Sequence, residues 1–263
     1  MTISKVAIVG TGVMGEGIIN SLLKAGTKPN SIVIRDKRVD RVQELVSQYG
    51  LKAESIQGSD AVILAVKPQD LEKCADELKS EISDQVLLVS LLAGVTSARI
   101  SDAFGIALRI IRVMPNTPIL LGEGMSVITR GKTALETDLA WLEGVLSKSG
   151  KTLVVDESLM DAVTATSGSG PAYFFGFVES MIKAANKLGL SEQDAKLLVH
   201  QTLIGAAKMI EGSGKDAGTL RKEVTSPNGT TAAALSSFES NGLDEIVYKA
   251  MKAAKDRSEE LSN

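Results

Sequence analysis

Short, uninterrupted apolar runs recur through the first 155 residues, and stretches with helical periodicity separate them. Such runs, bounded by Gly, Pro or Asp, are typical of strands buried on both faces of a parallel sheet. The predicted strands cover residues 6–9, 31–35, 51–53, 60–66, 86–92 and 108–114, with two edge strands at 125–129 and 152–155. The predicted helices include 13–25, 39–49 and 133–148, and another begins at Pro68. Strands that alternate with helices indicate an α/β fold with a doubly wound, mostly parallel sheet.

After residue 155 the strand pattern ends and long helical stretches follow. One helix is predicted from an N-cap at Ser169 to Leu188, and a second from an N-cap at Ser191 to about Gly212. Both are apolar around much of their circumference, and a helical region of this size cannot bury all of that surface alone. We therefore expect a homodimer in which helices are swapped or interlocked.

The segment Gly10-Thr11-Gly12-Val13-Met14-Gly15 joins the first predicted strand to the first predicted helix. In this context Gly-x-Gly-x-x-Gly is typical of the turn that binds the pyrophosphate of a dinucleotide at a helix N-terminus. Gly10 permits the turn, Gly12 lets the backbone approach the phosphates, and Gly15 lets the helix pack close to the strand. The sequence thus predicts a Rossmann-type domain at 1–157 and an all-α dimerisation and substrate-binding domain at 158–263.

The second strand ends in Arg35-Asp36-Lys37-Arg38, where a Rossmann-type domain meets the adenosine ribose. Asp36 could accept hydrogen bonds from both ribose hydroxyls, which favours NAD. Arg35, Lys37 and Arg38 could bind a 2′-phosphate, which favours NADP. A solvated charge cluster at the start of the next helix is the alternative reading of Lys37 and Arg38, so these residues leave the choice of cofactor open.

Three further segments follow predicted strands: Lys67-Pro68, Ala93-Gly94 and Asn116-Thr117. Ligands bind at the carboxyl ends of the strands in open parallel sheets. We therefore expect these segments to line one crevice together with the glycine turn.

Composition and charge narrow the classes of function. A net charge of −3 argues against a nucleic-acid-binding protein. The single cysteine, Cys74, excludes an intrachain disulfide and fits a reducing cytosol, and its place in a predicted helix indicates an inert thiol. Apolar runs stay well short of the ~20 residues of a membrane span, and the first strand begins too early to leave room for a signal peptide. These features predict a cytoplasmic protein without membrane partners.

The segment from Ser226 to Thr231 is the second informative stretch, because the turn Pro227-Asn228-Gly229 leads into a helix. Successive N–H groups at such a turn form a nest that suits a carboxylate, and the hydroxyls of Thr230 and Thr231 lie beside it. An ordinary capped helix is an equally good interpretation of these residues alone.

Side chains for acid–base chemistry are scarce. His200 is the only histidine and lies in the middle of an apolar helix, which favours a packed or interfacial role. One histidine and one cysteine cannot form a Ser/His/Asp triad or a Cys/His metal cluster, so no metal is expected. A protonated imine needs no general base to accept a hydride, and a hydroxyl is enough to orient it.

Six segments, in this order and spacing, resemble the pyrroline-5-carboxylate reductase family over nearly the full chain. They are Gly10-Thr11-Gly12-Val13-Met14-Gly15, Ala65-Val66-Lys67-Pro68, Leu92-Ala93-Gly94-Val95-Thr96, Arg112-Val113-Met114-Pro115-Asn116-Thr117-Pro118, Ser167-Gly168-Ser169-Gly170-Pro171-Ala172-Tyr173 and Val224-Thr225-Ser226-Pro227-Asn228-Gly229-Thr230-Thr231. The resemblance implies reduction of 1-pyrroline-5-carboxylate to L-proline with NAD(P)H, the last step of proline biosynthesis. It also implies a homodimer, which the family often assembles into larger rings.

The resemblance, taken with the motifs, predicts NADP(H) as the preferred cofactor and NAD(H) as the alternative, with Met114 and Asn116 beside the nicotinamide. The predicted cofactor-binding residues are Gly10, Thr11, Gly12, Val13, Met14, Gly15, Arg35, Asp36, Lys37, Val66, Lys67, Pro68, Ala93, Gly94, Met114 and Asn116. Asp36 departs from the Ser or Asn that many family members carry and that favours NADP.

The resemblance also assigns the substrate site, with Thr231 as the catalytic residue that hydrogen-bonds the ring nitrogen. The substrate-binding residues it implies are Glu157, Ser226, Asn228, Gly229, Thr230 and Thr231. The family usually has Pro-Gly-Gly where this chain has Pro227-Asn228-Gly229. Since Asn tolerates a left-handed backbone better than other non-Gly residues, we expect the nest to be retained.

Two other functions fit part of the pattern. A β-hydroxyacid dehydrogenase shares the plan of a dinucleotide domain and a helical domain, but it needs a basic catalytic residue on the first long helix. Lys183 is the only candidate near the middle of that helix, and its neighbours do not match that class. A non-enzymatic NAD(P)-binding regulator is the second alternative, and the nest between Ser226 and Thr231 argues against it.

Overall fold

A computed structural model of the chain describes residues 3–261. Its contacts divide these residues into two compact units. The sheet unit comprises the residues up to Pro171 together with those from Ala253 onward, and the helical unit comprises Ala172–Lys252. The predicted domain boundary between residues 157 and 158 stays a prediction.

The sheet unit is built on seven strands in the order β2-β1-β3-β4-β5-β6-β7. Neighbouring strands from β2 to β5 are parallel, β6 runs antiparallel to β5, and β7 is parallel to β6. The strands are β1 Val6–Val9, β2 Ile32–Arg35, β3 Ala61–Leu64, β4 Leu87–Ser90, β5 Arg109–Met114, β6 Gly124–Arg130 and β7 Gly150–Val154. This sheet confirms the predicted mostly parallel, Rossmann-type α/β fold.

Two strand predictions need correction. The strand predicted at 51–53 is a single bridge between Val33 and Lys52, because only one residue pair there adopts the pairing geometry. The strand predicted as an edge at 125–129 lies inside the sheet, since β7 pairs along its outer side and is itself the edge.

Buried apolar residues form a separate core on each face of the sheet, because successive strand residues point to opposite faces. Ile8 and Ile63 pack on one face, whereas Ala7, Val62 and Leu64 pack on the other. The strands are therefore apolar at nearly every position, which is the pattern that identified them in the sequence.

Eleven α-helices lie within residues 3–261. They are α1 Val13–Lys24, α2 Val39–Tyr49, α3 Leu71–Leu78, α4 Ser97–Phe104, α5 Glu136–Leu146, α6 Met160–Val163, α7 Gly170–Lys187, α8 Glu192–Gly212, α9 Ala217–Glu223, α10 Thr230–Ser240 and α11 Leu243–Glu260. Pro68 begins a short 3-10 turn, Pro68–Asp70, that leads directly into α3. In the same part of the chain, no helix is long and apolar enough to cross a membrane.

The predicted N-cap at Ser169 is wrong. A π-helical turn, Thr164–Gly168, connects α6 to α7, and the Ser169 N–H donates to the Thr164 carbonyl at 2.8 Å. Ser169 has helical dihedrals, so it lies inside a continuing helical path and does not begin one. By contrast, Ser191 caps α8 as predicted, because its hydroxyl accepts the Asp194 N–H at 3.1 Å.

The helical unit has few buried side chains. Ala195 and Val199 on α8 are buried, and the rings of Phe177 and Phe238 lie with centroids 6.4 Å apart. Many large apolar side chains of this unit are exposed in the single chain. They include Phe174, Phe175, Leu197, Leu198, Ile204, Ile210, Ile246, Val247 and Tyr248.

Candidate functional site

The three glycines of the first turn differ in what surrounds them. Gly10 has φ +93°, and a Cβ there would lie 2.6 Å from the Ala65 carbonyl oxygen at the end of β3. A Cβ at Gly15 would lie 2.1 Å from the Gly10 carbonyl oxygen, because α1 packs directly against the turn. A Cβ at Gly12 would meet nothing within 4 Å. The turn therefore leaves open space only beside Gly12, where the sequence predicts the phosphates.

The start of α1 provides backbone donors beside that space. The first intrahelical hydrogen bond runs from the Glu16 N–H to the Gly12 carbonyl at 2.9 Å. The N–H groups from Gly12 to Gly15 precede that bond and have no intrahelical acceptor. With the positive end of the helix dipole, they fit a pyrophosphate, so the residues present match the predicted cofactor.

A cleft of about 710 Å³ lies at the carboxyl ends of β1, β2 and β3. Seven of the predicted cofactor-binding residues line it: Gly10, Gly12, Arg35, Asp36, Lys37, Val66 and Lys67. The other lining residues are Val9, Arg38, Ala65, Asp70, Lys73, Cys74 and Glu77. The remaining predicted residues do not line this cleft: Thr11, Val13, Met14, Gly15, Pro68, Ala93, Gly94, Met114 and Asn116. The cleft thus brings the residues predicted for the adenosine ribose, Arg35 to Arg38, together with part of the glycine turn and with Val66 and Lys67.

Asp36 does not present a free carboxylate to this cleft. Its Oδ2 accepts the Thr11 N–H at 2.7 Å and the Thr11 hydroxyl at 2.8 Å, and its Oδ1 accepts the Arg38 N–H at 3.0 Å. The Arg38 guanidinium adds two bonds of 3.1 Å. Burial alone would raise the pKa of Asp36, but the hydrogen bonds from Arg38 and Thr11 outweigh it and lower the pKa well below its ordinary value.

Two other charged residues of this end, Arg35 and Lys37, are paired with acidic partners. The Arg35 guanidinium lies 2.5 Å from Glu81 Oε1, and Lys37 Nζ lies 3.6 Å from Asp70 Oδ1. Cys74 faces the cleft from α3 with 7 % of its surface exposed. Burial raises the pKa of the Cys74 thiol to about 11, which leaves it protonated and unreactive at neutral pH, as the sequence predicts.

Asn116 and Met114, predicted beside the nicotinamide, lie at the end of β5 and beyond it. Asn116 Oδ1 accepts the Met125 N–H at 2.8 Å, and its Nδ2 donates to the Ser167 carbonyl at 3.1 Å. A Cβ at Gly168 would lie 2.2 Å from the terminal methyl of Met114. The amide of Asn116 therefore joins β5, β6 and the π-helical turn. Departures from α-helical geometry of this kind are frequent at functional sites.

Glu157, predicted near the substrate, is held by residues of the sheet unit. Its Oε1 accepts the Ser97 N–H and hydroxyl, both at 2.7 Å, and a guanidinium N–H of Arg112 at 2.9 Å. Burial would raise the pKa of Glu157, but the hydrogen bonds from Ser97 and Arg112 lower it below its ordinary value. The carboxylate is therefore ionised, and it fixes the start of α4 to β5.

Gly94 is covered by the C-terminal end of α11. It has φ +76°, and a Cβ there would lie 2.4 Å from the Ser258 carbonyl oxygen. The Ser258 hydroxyl donates to Asp161 Oδ1 at 2.6 Å. The loop after β4 is thus supported by a segment that is more than 160 residues away in the sequence.

The turn before α10 places Asn228 in the left-handed backbone region. Asn228 has φ +61°, the only positive φ of a non-glycine residue among residues 3–261. The Gly229 N–H donates to the Ser226 carbonyl at 3.1 Å, and Gly229 is the N-cap of α10. The N–H groups that follow, beginning with Thr230 and Thr231, precede the bond from Ala233 to Gly229. As the first N–H groups of a helix they have no intrahelical acceptor, and Thr231 is half-buried.

Gly229 differs from Asn228 in its surroundings. It has an ordinary φ of −82°, and a Cβ there would lie 2.4 Å from the Ser226 hydroxyl oxygen. A side chain at position 229 would therefore require that hydroxyl to rotate away, whereas position 228 needs a left-handed backbone, which Asn tolerates.

His200 is exposed on α8 in the single chain. No group of three or more His, Cys, Asp or Glu side chains that could hold a metal ion occurs in the part of the chain that the structure describes.

Four residues that support these features carry no sequence signal that would have selected them: Arg41, Ser97, Asp161 and Ser258. Each acts through a partner that is distant in sequence, so no local motif identifies it. Arg112 differs, because it belongs to a segment already singled out, and so does Ser167. Only the structure shows that the Ser167 carbonyl accepts a hydrogen bond from the side-chain amide of Asn116.

Comparison with known proteins gives consistent matches. The family model described as pyrroline-5-carboxylate reductase dimerisation matches residues 157–261, and one described as NADP oxidoreductase coenzyme F420-dependent matches residues 5–94. A pyrroline-5-carboxylate reductase of Corynebacterium melassecola is 38% identical over 97% of this chain and 98% of that protein.

Two solved structures are similar over their full length. A pyrroline-5-carboxylate reductase of Coxiella burnetii superposes with a TM-score of 0.90 at 34% identity, and the match covers 100% of both chains. A pyrroline carboxylate reductase of Plasmodium falciparum, solved with NADP bound, gives a TM-score of 0.86 at 30% identity over 100% of both chains.

The sheet order, the glycine turn and the cleft define a Rossmann-type oxidoreductase that uses a dinucleotide. Sequence identities of 38% and 34% over nearly the whole chain point to one family within that class. The chain belongs to the pyrroline-5-carboxylate reductase family, which confirms the resemblance seen in the sequence.

Proposed function

We propose that this protein reduces 1-pyrroline-5-carboxylate to L-proline, with NADPH as the preferred hydride donor and NADH as the alternative. The observation that carries the proposal is the similarity to reductases of this name over nearly the whole chain, with the glycine turn intact. NADP in the Plasmodium falciparum structure supports the choice of cofactor. The match to a dinucleotide-binding family model over residues 5–94 supports it further.

The residues at the strand ends would hold the cofactor. The N–H groups between Gly12 and Gly15 would bind the pyrophosphate, and the cleft lined by Lys37, Arg38 and Lys67 would hold the adenosine end. Met114 and Asn116 stay the predicted neighbours of the nicotinamide. When bound, the dihydronicotinamide supplies a hydride to the imine carbon.

The turn before α10 would bind the substrate. Its N–H groups from Thr230 onward would bind the carboxylate, and the Thr231 hydroxyl would hydrogen-bond the ring nitrogen. A protonated imine carbon needs no protein base to accept a hydride, so orientation is the main task of these residues. Glu157 stays a predicted substrate residue, and its bonds to Ser97 and Arg112 hold it in one place.

The first experiment measures oxidation of NADPH and of NADH by the purified protein with 1-pyrroline-5-carboxylate. We expect oxidation with both cofactors and a higher kcat/KM with NADPH. Absence of oxidation with either would overturn the reductase assignment. Activity on β-hydroxyacids instead, or cofactor binding without turnover, would point to the dehydrogenase or to the regulator.

The second experiment tests Thr231. Thr231→Ala should lower kcat/KM by the value of one hydrogen bond to the reacting ring, about 1–3 kcal/mol or roughly 5- to 150-fold. Thr231→Ser keeps the hydroxyl and is the matched control, so it should retain most of the activity. Equal activity of Thr231→Ala and the natural protein would remove Thr231 from the mechanism.

We further propose that the protein works as a cytoplasmic homodimer joined through the helical unit, with larger rings of dimers as the next level of assembly. The exposed apolar side chains of α7, α8 and α11 and the match to the dimerisation family model support this proposal.

A further inference from the structure

We propose that Asp36 is a positioning residue that holds the glycine turn through Thr11 and does not read the cofactor ribose. This inference rests on the proposed function only in assuming that the cleft binds a dinucleotide. It concerns the residue for which the sequence leaves two roles open.

The first argument is that the carboxylate of Asp36 has no acceptor capacity left. A carboxylate has about four lone-pair sites. Asp36 accepts five hydrogen bonds, two from Thr11 and three from Arg38, and 10 % of its side chain is exposed. A ribose diol would have to displace Thr11 or Arg38 in order to bind Asp36.

The second argument concerns Thr11, which lies between the first two glycines of the turn and is completely buried. Its N–H and its hydroxyl both donate to Asp36, while its carbonyl accepts Arg41 Nε at 3.2 Å. All three polar groups of Thr11 are therefore held by residues of the segment that follows β2. This fixes the path of the turn into α1.

The third argument concerns Arg41, which donates to the Thr11 carbonyl and is itself held in place by acidic residues. Arg41 is ion-paired to Glu16 on α1 and lies 2.8 Å from Glu44 Oε2 on α2. Tyr49 also donates to Glu16, at 3.1 Å. The turn, α1 and α2 therefore form one polar network, in which Asp36 supplies the bonds nearest to the phosphate-binding N–H groups.

The two roles of Asp36 predict different results for the same substitution. If Asp36 holds the turn, Asp36→Asn weakens the pyrophosphate site, which NADH and NADPH share, so affinity for both falls by the same factor. If Asp36 hydrogen-bonds the ribose, Asp36→Asn weakens the binding of NADH and relieves repulsion of the 2′-phosphate of NADPH. The preference then shifts toward NADPH.

The experiment measures the Kd of NADPH and of NADH by nicotinamide fluorescence, without 1-pyrroline-5-carboxylate. Asp36→Asn is made both in the natural protein, where Arg38 fills the carboxylate, and in an Arg38→Gln background, because a guanidinium released from Asp36 could by itself bind the 2′-phosphate. We expect both Kd values to rise about 5- to 20-fold, with their ratio in the Arg38→Gln background unchanged within about twofold. A ratio that moves toward NADPH by about tenfold or more in both backgrounds would overturn the proposal. So would Kd values that do not change.

The matched control is Asp40→Asn, which removes the same charge from an exposed position four residues along the chain. It should leave both Kd values within about twofold of the background. A second variant, Thr11→Val, removes the hydroxyl at nearly constant volume. Because Asp36 acts through Thr11, Asp36→Asn should raise the Kd values by a smaller factor in the Thr11→Val protein. If the effects of the two substitutions on binding free energy were fully additive, the proposal would be contradicted.

Amide hydrogen exchange of the peptide that covers β1 and the turn provides a readout without any cofactor. Asp36→Asn should speed exchange there and Asp40→Asn should not. Unchanged exchange would contradict the proposal. If no protein in the series binds a dinucleotide while exchange responds as expected, the proposed function fails and the holding role of Asp36 stands.

Discussion

Arg112 lies in the interior of the sheet unit with 4 % of its surface exposed, and Glu157 is its ion-pair partner. Removing the partner of a buried charge is costly, because the remaining charge keeps its desolvation penalty. Glu157 is a third exposed, so solvent screens part of that cost. The pair also places Glu157, a predicted substrate residue, in one orientation.

We expect Glu157→Gln to lower the free energy of unfolding by about 1–2 kcal/mol at neutral pH. The folded-state pKa of Glu157 is lowered, so the stability it contributes is present above its ordinary value of 4.5 and is lost as the pH falls through the folded pKa. The difference between the two proteins in urea unfolding should therefore shrink as the pH falls below 4.5.

Asp156→Asn is the control for this measurement, because the neighbouring Asp156 is exposed and its side chain makes no cap hydrogen bond. It should change the unfolding free energy by less than about 0.5 kcal/mol. A Glu157→Gln difference that stays constant from pH 7 to pH 3 would show that the charge pair contributes nothing.

At the scale of elements, β1, the glycine turn and α1 form a unit in which each glycine has its own reason. Gly15 is required for packing, since a Cβ would lie 2.1 Å from backbone of the turn. Gly12 is surrounded by open space, has φ −69° and is the N-cap of α1. Folding and cofactor binding therefore depend on different glycines of one motif.

Gly15→Ala should destabilise the protein by about 1–3 kcal/mol or more, because backbone has to move to accept the methyl group. Gly12→Ala should leave the thermal unfolding temperature nearly unchanged. It should nevertheless raise the Kd of NADPH by about tenfold or more, because the methyl group fills the space beside the phosphates. Thermal unfolding and fluorescence titration of both variants test this, and each variant is the control for the other. Loss of fold in Gly12→Ala, or tight binding by it, would contradict the assignment of that space.

A second element, the π-helical turn Thr164–Gly168, explains why a glycine-rich segment begins no new helix. The extra residue of the turn lets the helical path from α6 continue into α7, and it leaves the Ser167 carbonyl to accept Asn116. Gly168 leaves room for Met114, because a Cβ there would lie 2.2 Å from the terminal methyl of Met114 and that side chain would have to move.

At the scale of the whole molecule, the two compact units differ in how completely they bury apolar surface. The sheet unit has two apolar cores, whereas the helical unit exposes large side chains such as Phe175, 62 % exposed, and Leu198, 53 % exposed. Exposed apolar surface of this extent is typical of a region that is covered in an oligomer.

We expect Leu198→Glu to dissociate the proposed homodimer, because a charge at a buried interface has no partner there. Sedimentation velocity should show a dimer for the natural protein and a monomer, or a dimer weakened by about 100-fold or more, for the variant. Gln193→Glu adds the same charge to a polar position on the same helix and should stay dimeric. A natural protein that sediments as a monomer would refute the proposed assembly.

Local patterns in the sequence were enough to locate the seven strands of the sheet, helices α1 and α2, the glycine turn and the family. These features follow from apolar periodicity, from the backbone freedom of Gly and from side-chain–backbone bonds within a few residues, as at Ser191. The bridge at Lys52, the place of β6 inside the sheet and the continuous helix through Ser169 depend on neighbours that the pattern does not reveal.

At the candidate site, too, the local sequence locates a residue, whereas its neighbours in the folded chain decide what it does. The sequence identifies Asp36 and Glu157 as charged residues at informative positions, but a charge has a role only through its partners. Those partners, Thr11 for Asp36 and Arg112 for Glu157, are 25 and 45 residues away along the chain. Folding brings them within hydrogen-bond distance, and burial makes the pairs strong enough to fix where each carboxylate points.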